Sequence, residues 1–160
     1  MKTTEAVGEY KALAVRSPAS TDHGMIPARY TCEGDNVSPP VEIGGVPEET
    51  RSLALIIEDP DAPSGTWLHW LVWNIPVIHT IREGEVPGEQ GLNDFGRRTY
   101  GGPCPPSGTH RYFVKVYALD DVLDVPSGAR RKKVEDAMRD HIVAFGETVG
   151  LYQRTKALTL

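Results

Sequence analysis

Short apolar runs broken by clusters of proline and glycine dominate the chain. The segments 10–15 (YKALAV), 52–59 (SLALIIED), 69–75 (HWLVWNI) and 111–119 (RYFVKVYAL) are rich in β-branched and aromatic residues and bounded by turn formers, the signature of strands. Segment 148–154 (TVGLYQR) reads as a last strand, and residues 25–50 are mostly loop, punctuated by SPP and GGVP. One stretch, 130–145, has a helical period: Val134, Ala137, Met138, Ile142 and Phe145 recur at three- and four-residue steps. His141 falls on the same stripe, where a packed imidazole is the expectation. Many strands with a single late helix predict a mainly-β chain, an antiparallel β-sandwich with one or two peripheral helices.

Within 69–75, alternation puts His69, Leu71, Trp73 and Ile75 on one face and Trp70 and Val72 on the other. Both faces are apolar, so the strand is expected to be buried on both sides. A histidine there needs a hydrogen-bond partner, because an unpaired buried polar group costs a few kcal/mol. A nearby carboxylate would fill that role.

At 160 residues, with no repeat or linker-like tract, one domain covering 1–160 is expected. A net charge of −5 argues against a nucleic-acid partner, which needs a concentrated basic face. The run Arg130, Arg131, Lys132, Lys133 is short and followed by acids, the pattern of a solvated helix start. No segment approaches the ~18 apolar residues that span a bilayer, so an integral membrane protein is not expected. The opening MKTTEAVGEYKALAV lacks a signal-peptide core, which makes a cytoplasmic location the expectation. Cys32 and Cys104 are too few for a disulfide framework or a cysteine zinc site. Two reduced thiols are expected, with a bridge closing a long loop as the alternative.

Two polar clusters remain. Asp59 and Asp61 flank Pro60, which biases Asp59 towards an extended backbone and both carboxylates towards one side; an ordinary Asp-Pro turn is the competing reading. His110 and Tyr112 share a strand face directly after the stiff GGPCPPSG stretch, while Arg111 points the other way as a buried structural ion-pair partner. Imidazole and phenol groups beside turn amides suit an anion. Asp59, Asp61, His69 and His110 are also the residues a metal site or acid–base enzyme would use. Nucleophile elbow, zincin, P-loop and dinucleotide motifs are missing, and Ser64 and Ser107 read as turn residues, so no catalytic residue, metal or cofactor is assigned.

Together, DPDAP…HW and GPCPP…HRY carry a resemblance. With IPARYTCEGDNVSPPVEIGGVPEETRSLALIIEDPDAP, WLHWLVWNIP, GLNDFGRRTYGGPCPPSGTHRYFVKVYALD and VEDAMRDHIVAFGETVGLYQR, most of residues 24–154 resemble the phosphatidylethanolamine-binding protein family, in its bacterial and archaeal Raf kinase inhibitor-like branch. The resemblance implies a two-sheet sandwich and a small surface pocket for phosphate, acetate or a phosphorylated head group. Family pocket positions fall on Asp59, Asp61, His69, Pro106, His110 and Tyr112, with backbone from Gly102 to Cys104 and an apolar wall from Trp67 and Trp70. It also implies a homodimer, and a protease or kinase target as an alternative role. Two departures stand out: only Ser107, Gly108 and Thr109 separate PP from HRY, and the C-terminal helical segment of animal members is not evident. A non-enzymatic anion-binding module is therefore the leading expectation. A protease or kinase inhibitor acting through a surface loop comes next, with a hydrolase or metal enzyme as the third.

Overall fold

In the computed structural model, which describes residues 10–155, strand β5 (Ser52–Asp59) has no exposed position. It lies inside a large sheet whose order explains this. Preceding it are β1 (Lys11–Ala12), β2 (Ala14–Arg16), β3 (Gly24–Met25), a 3-10 turn at Ala28–Tyr30, and β4 (Val41–Gly44). Following it are β6 (Trp67–Ile75), β7 (Thr80–Ile81), β8 (Glu89–Gln90), β9 (His110–Leu119), helix α1 (Arg131–Met138) and β10 (Ile142–Tyr152). The large sheet runs β1-β10-β9-β5-β6-β8, with β3 also on β10; the small sheet is β2-β4-β7. The chain is mainly β, as expected. Residues 1–9, on which part of the targeting argument fell, lie outside the described residues. Among the described residues no helix is long and apolar enough to cross a membrane.

Alternation along β5 feeds two cores. Leu53, Leu55 and Ile57 meet Val41, Ile43 and Ile81 of the small sheet, together with Trp70, Val72 and Val116. Ala54 and Ile56 point the other way, onto Val134 and Met138 of α1 and Leu123 and Val125 of the loop before it. The large sheet is thus the middle of three layers, and each fully buried aliphatic or aromatic side chain contributes roughly 1.5–3 kcal/mol. On the helix side Glu58 joins Lys115 at 2.8 Å and also meets Arg131, which is itself paired with Glu135. Burial works against the Glu58 carboxylate, but hydrogen bonds from Lys115 and Arg131 outweigh it and hold its pKa below the usual value. Arg131 therefore turns inward to clamp α1, a correction to the solvated reading of the basic run.

The helical period expected over 130–145 holds only as far as Met138. Ile142 and Ala144 fit a two-residue period as well as a helical one, and short apolar runs do not discriminate. The ladder with β9, from Ile142 opposite Leu119 to Tyr152 opposite His110, decides for strand. His141 sits in the intervening turn, 39% exposed at its side chain and 2.8 Å from Asp120, so it is not packed on a helical stripe.

Strict alternation along β6 also fails. Register shifts opposite Leu53–Leu55 and Ile57–Glu58 place extra residues in the strand. Asn74, at φ 54°, marks the first and holds Leu123 through both its amide nitrogen (2.9 Å) and its oxygen (2.7 Å). Ile75 consequently faces the Trp70 and Val72 side, whereas Leu71 and Trp73 join Leu68 opposite. His69 lies in the second irregularity. A bulge re-aims side chains in this way.

Candidate functional site

β5 ends at Asp59 where its antiparallel neighbours β6 and β9 begin, so three strands deliver side chains to one edge of the inter-sheet face. Asp59 comes from β5, Trp67 and His69 from β6, and His110 and Tyr112 from β9. Ala62, Pro63, Phe95, Cys104, Pro105 and Pro106 close the loop side of a cleft of about 200 Å³. Proline fixes φ at both Pro105 and Pro106, so that wall is stiff before anything binds.

His110 Nδ1–H donates to Asp59 Oδ2 at 2.6 Å, with side chains only 9% and 5% exposed. Asp59 Oδ1 accepts the Asp61 amide at 2.8 Å, an Asx-type bond across Pro60. His69 Nδ1 lies 2.6 Å from the Gly101 carbonyl oxygen, to which it donates. Burial pushes the His69 pKa down, the Gly101 hydrogen bond and the Asp59 charge opposing it only in part. The Tyr112 phenol is pushed up, chiefly by burial and then by the Asp59 charge, so it stays protonated. Tyr112 stands edge-on to His69 at 5.3 Å and roughly parallel to His110 at 6.4 Å.

Several expected residues lie elsewhere. Asp61 turns away to grip Arg111 through Oδ1–Nη2 (2.8 Å), Oδ2–Nε (3.0 Å) and the backbone amide (2.9 Å). These contacts, the side-chain hydrogen bond foremost, hold Asp61 down to about 2. Arg111 is thus an ion-pair partner, but a half-exposed one rather than buried. Asp61, so engaged, does not line the cleft that Asp59, His69 and His110 share, and among the described residues no group of three or more His, Cys, Asp or Glu is placed to hold a metal ion. Trp70 points into the inter-sheet core and donates Nε1–H to Gln90 at 2.8 Å, leaving Trp67 alone of the two tryptophans at the cleft.

Gly102 lines an adjoining cleft with Asn36, Asn93 and Arg97. Its amide is spent on Asn36 Oδ1 at 2.9 Å, and an added Cβ would lie 2.4 Å from the Tyr30 carbonyl oxygen. That close approach brings two distant loops together, and Cys32 and Cys104 form a disulfide with 5.5 Å between Cα atoms. Two reduced thiols were the wrong expectation; pairing depends on this loop contact, which spacing along the chain does not reveal.

Phe95 was missed by sequence reasoning. It stands edge-on to both Trp67 (5.6 Å) and His69 (5.3 Å). The Asn93 side chain shapes its loop by accepting the amides of Phe95 (2.9 Å) and Arg97 (3.0 Å), and Gly96 supplies φ 76°. The NDFG tetrapeptide was the available signal, a turn that leaves an aromatic at its tip.

The family model for phosphatidylethanolamine-binding protein matches residues 16–153. The chain belongs to this family. A UPF0098 protein of Methanothermobacter thermautotrophicus is 49% identical over 148 residues, 88% of this chain and 98% of the relative. Another UPF0098 protein, from Pyrococcus horikoshii, is 48% identical over 159 residues, 92% of this chain and 80% of that one. Among solved structures, a phosphatidylethanolamine-binding protein homologue from Chlamydia trachomatis superposes with a TM-score of 0.87 at 40% identity, covering 90% of this chain and 99% of its own. E. coli YbcL, described as a member of the mammalian family, gives 0.81 at 32% identity over 89% of this chain and 99% of its own. In this phosphatidylethanolamine-binding protein family member, the chemistry at the strand edge is that of two differently held imidazoles in one cleft.

Proposed function

We propose that this protein is a non-enzymatic binding module whose cleft takes a small anionic group such as phosphate, acetate or a phosphorylated head group. The buried Asp59–His110 pair carries the reading. Asp59 is occupied by His110 and by the Asp61 amide, so it orients rather than contacts a ligand, while the His110 ring that it holds is the group that meets an oxyanion. Pro105, Pro106 and the bridge at Cys104 form the opposite wall in advance, which limits the entropy lost on binding. The cleft, about 200 Å³ and open to solvent on one side, is large enough for a small oxyanion and its substituent. That suits a phosphoryl group with a short substituent. In calorimetric titration with inorganic phosphate, His110→Ala is expected to weaken binding roughly five- to tenfold, the value of one hydrogen bond. Tyr112→Phe serves as a second, less disruptive variant. Equal affinity in the wild type and both variants would sink the proposal.

A further inference from the structure

The two histidines are held by opposite kinds of partner. His110 Nδ1 faces a carboxylate, which tolerates a second ring proton, whereas His69 Nδ1 faces the Gly101 carbonyl at 2.6 Å. A carbonyl oxygen only accepts, so Nδ1 carries the hydrogen and a neutral His69 has a bare lone pair on Nε2. The His69 residue is 3% exposed, and burial disfavours its charged form. The groups facing it do little to reverse this. Asp59 is already bonded to His110 and the Asp61 amide, Asp94 Oδ2 accepts the Leu68 amide at 2.7 Å, Tyr112 is a neutral phenol, and the His110 ring brings no negative charge. Trp67 and Phe95, the remaining neighbours, bring no charge.

A lone-pair acceptor fixed in an anion pocket rejects a bare anionic oxygen and rewards one bearing hydrogen. We infer that the cleft selects oxyanions that still carry a hydrogen, an acid phosphate or a phosphomonoester monoanion, with His69 Nε2 accepting that hydrogen while His110 donates. The inference rests on the anion-pocket reading and sharpens it. Phosphodiesters, the form in which phosphate occurs in phospholipid head groups, have no such hydrogen, and neither have sulfate and ionised acetate, so acetate drops out of the wider ligand set. Monoesters and free phosphate share the required chemistry.

Calorimetry on the full chain with inorganic phosphate, methyl phosphate, dimethyl phosphate and sulfate separates the possibilities. At pH 5.5, phosphate and methyl phosphate are expected to bind at least tenfold more tightly than sulfate and dimethyl phosphate, since an unpaired buried acceptor forfeits roughly that factor. Methyl phosphate is expected to weaken by about twenty-five-fold or more between pH 5.5 and 7.5, as its second ionisation near pH 6 removes the hydrogen. In His69→Gln, whose amide can donate or accept, the discrimination against sulfate should collapse to within about threefold. Wild-type protein binding sulfate or dimethyl phosphate within threefold of phosphate would overturn the inference while leaving the anion pocket intact. Phosphate failing to bind at either pH would instead overturn the pocket reading itself.

Discussion

Replacing Cys32 and Cys104 together by serine removes a cross-link between residues 72 apart in sequence. The loop ends are held independently: Cys32 N–H donates to the Pro103 carbonyl at 3.1 Å, Gly102 N–H to Asn36 at 2.9 Å, and the Tyr100 hydroxyl to the Tyr30 carbonyl at 2.7 Å. The native loops should therefore persist, and the loss should fall on the unfolded chain. In the chain-entropy account, a closed loop of that size is worth about 15 cal/mol/K, or roughly 4.4 kcal/mol at 25 °C. That is a large share of the ~5–15 kcal/mol typical of a domain, but not all of it. Guanidinium unfolding followed by tryptophan fluorescence is the assay. The double variant is expected to show a lower midpoint and a steeper slope, because an unlinked chain exposes more surface. A stability loss below about 1 kcal/mol with an unchanged slope would refute the entropy argument, and two titratable thiols in the oxidised wild type would refute the bridge.

Acid stability should respond to Arg111→Ala. Arg111 depresses the folded pKa of Asp61 to about 2, so its contribution is present above the unfolded value near 3.8 and disappears as pH falls through 2. The melting temperatures of variant and wild type are expected to differ at pH 5 and converge near pH 2; a constant gap would contradict this. Further along the same face, Glu58→Gln leaves Lys115 and Arg131 without their shared carboxylate, 9% exposed at its side chain, and should destabilise by about 3 kcal/mol. Thermal melts check it, and a loss under about 1 kcal/mol would mean the clamp on α1 is only a surface pair.

Strands β5, β6 and β9 were legible almost to the residue because each is a long apolar run ended by turn formers. What escaped was whatever depends on contacts distant in sequence. Residues 142–145 satisfy both helical and strand periods, and only the partner strand breaks the tie. The faces of β6 were misassigned because bulges at His69 and Asn74 each add a residue, an event invisible to a count of two. Asp59 and His110 stood out as polar groups in apolar surroundings, while Phe95 resembled any loop aromatic until Asn93 folded its turn. The partner of Asp61 was one residue from the expected pocket, since the strand sends Arg111 to the side opposite His110 and Tyr112.

Glu58 and Asp59 are neighbours in one central strand, yet one clamps the helix and the other orients the cleft histidine. Deleting a single residue upstream in β5 would exchange their destinations, handing the helix side Asp59 and the cleft Glu58, and would invert both cores at once. The strand is thus closed to insertion and deletion. Segment 60–66 is where the cleft can change length without disturbing the register of the layer beneath, because 91–101 is bonded back to β6 through the amides of Gly91, Asp94 and Gly101, and 102–109 is tied down by the Cys104 bridge. A designer seeking new ligand preferences would graft there, on a platform whose inter-sheet core and cleft side chains share one register.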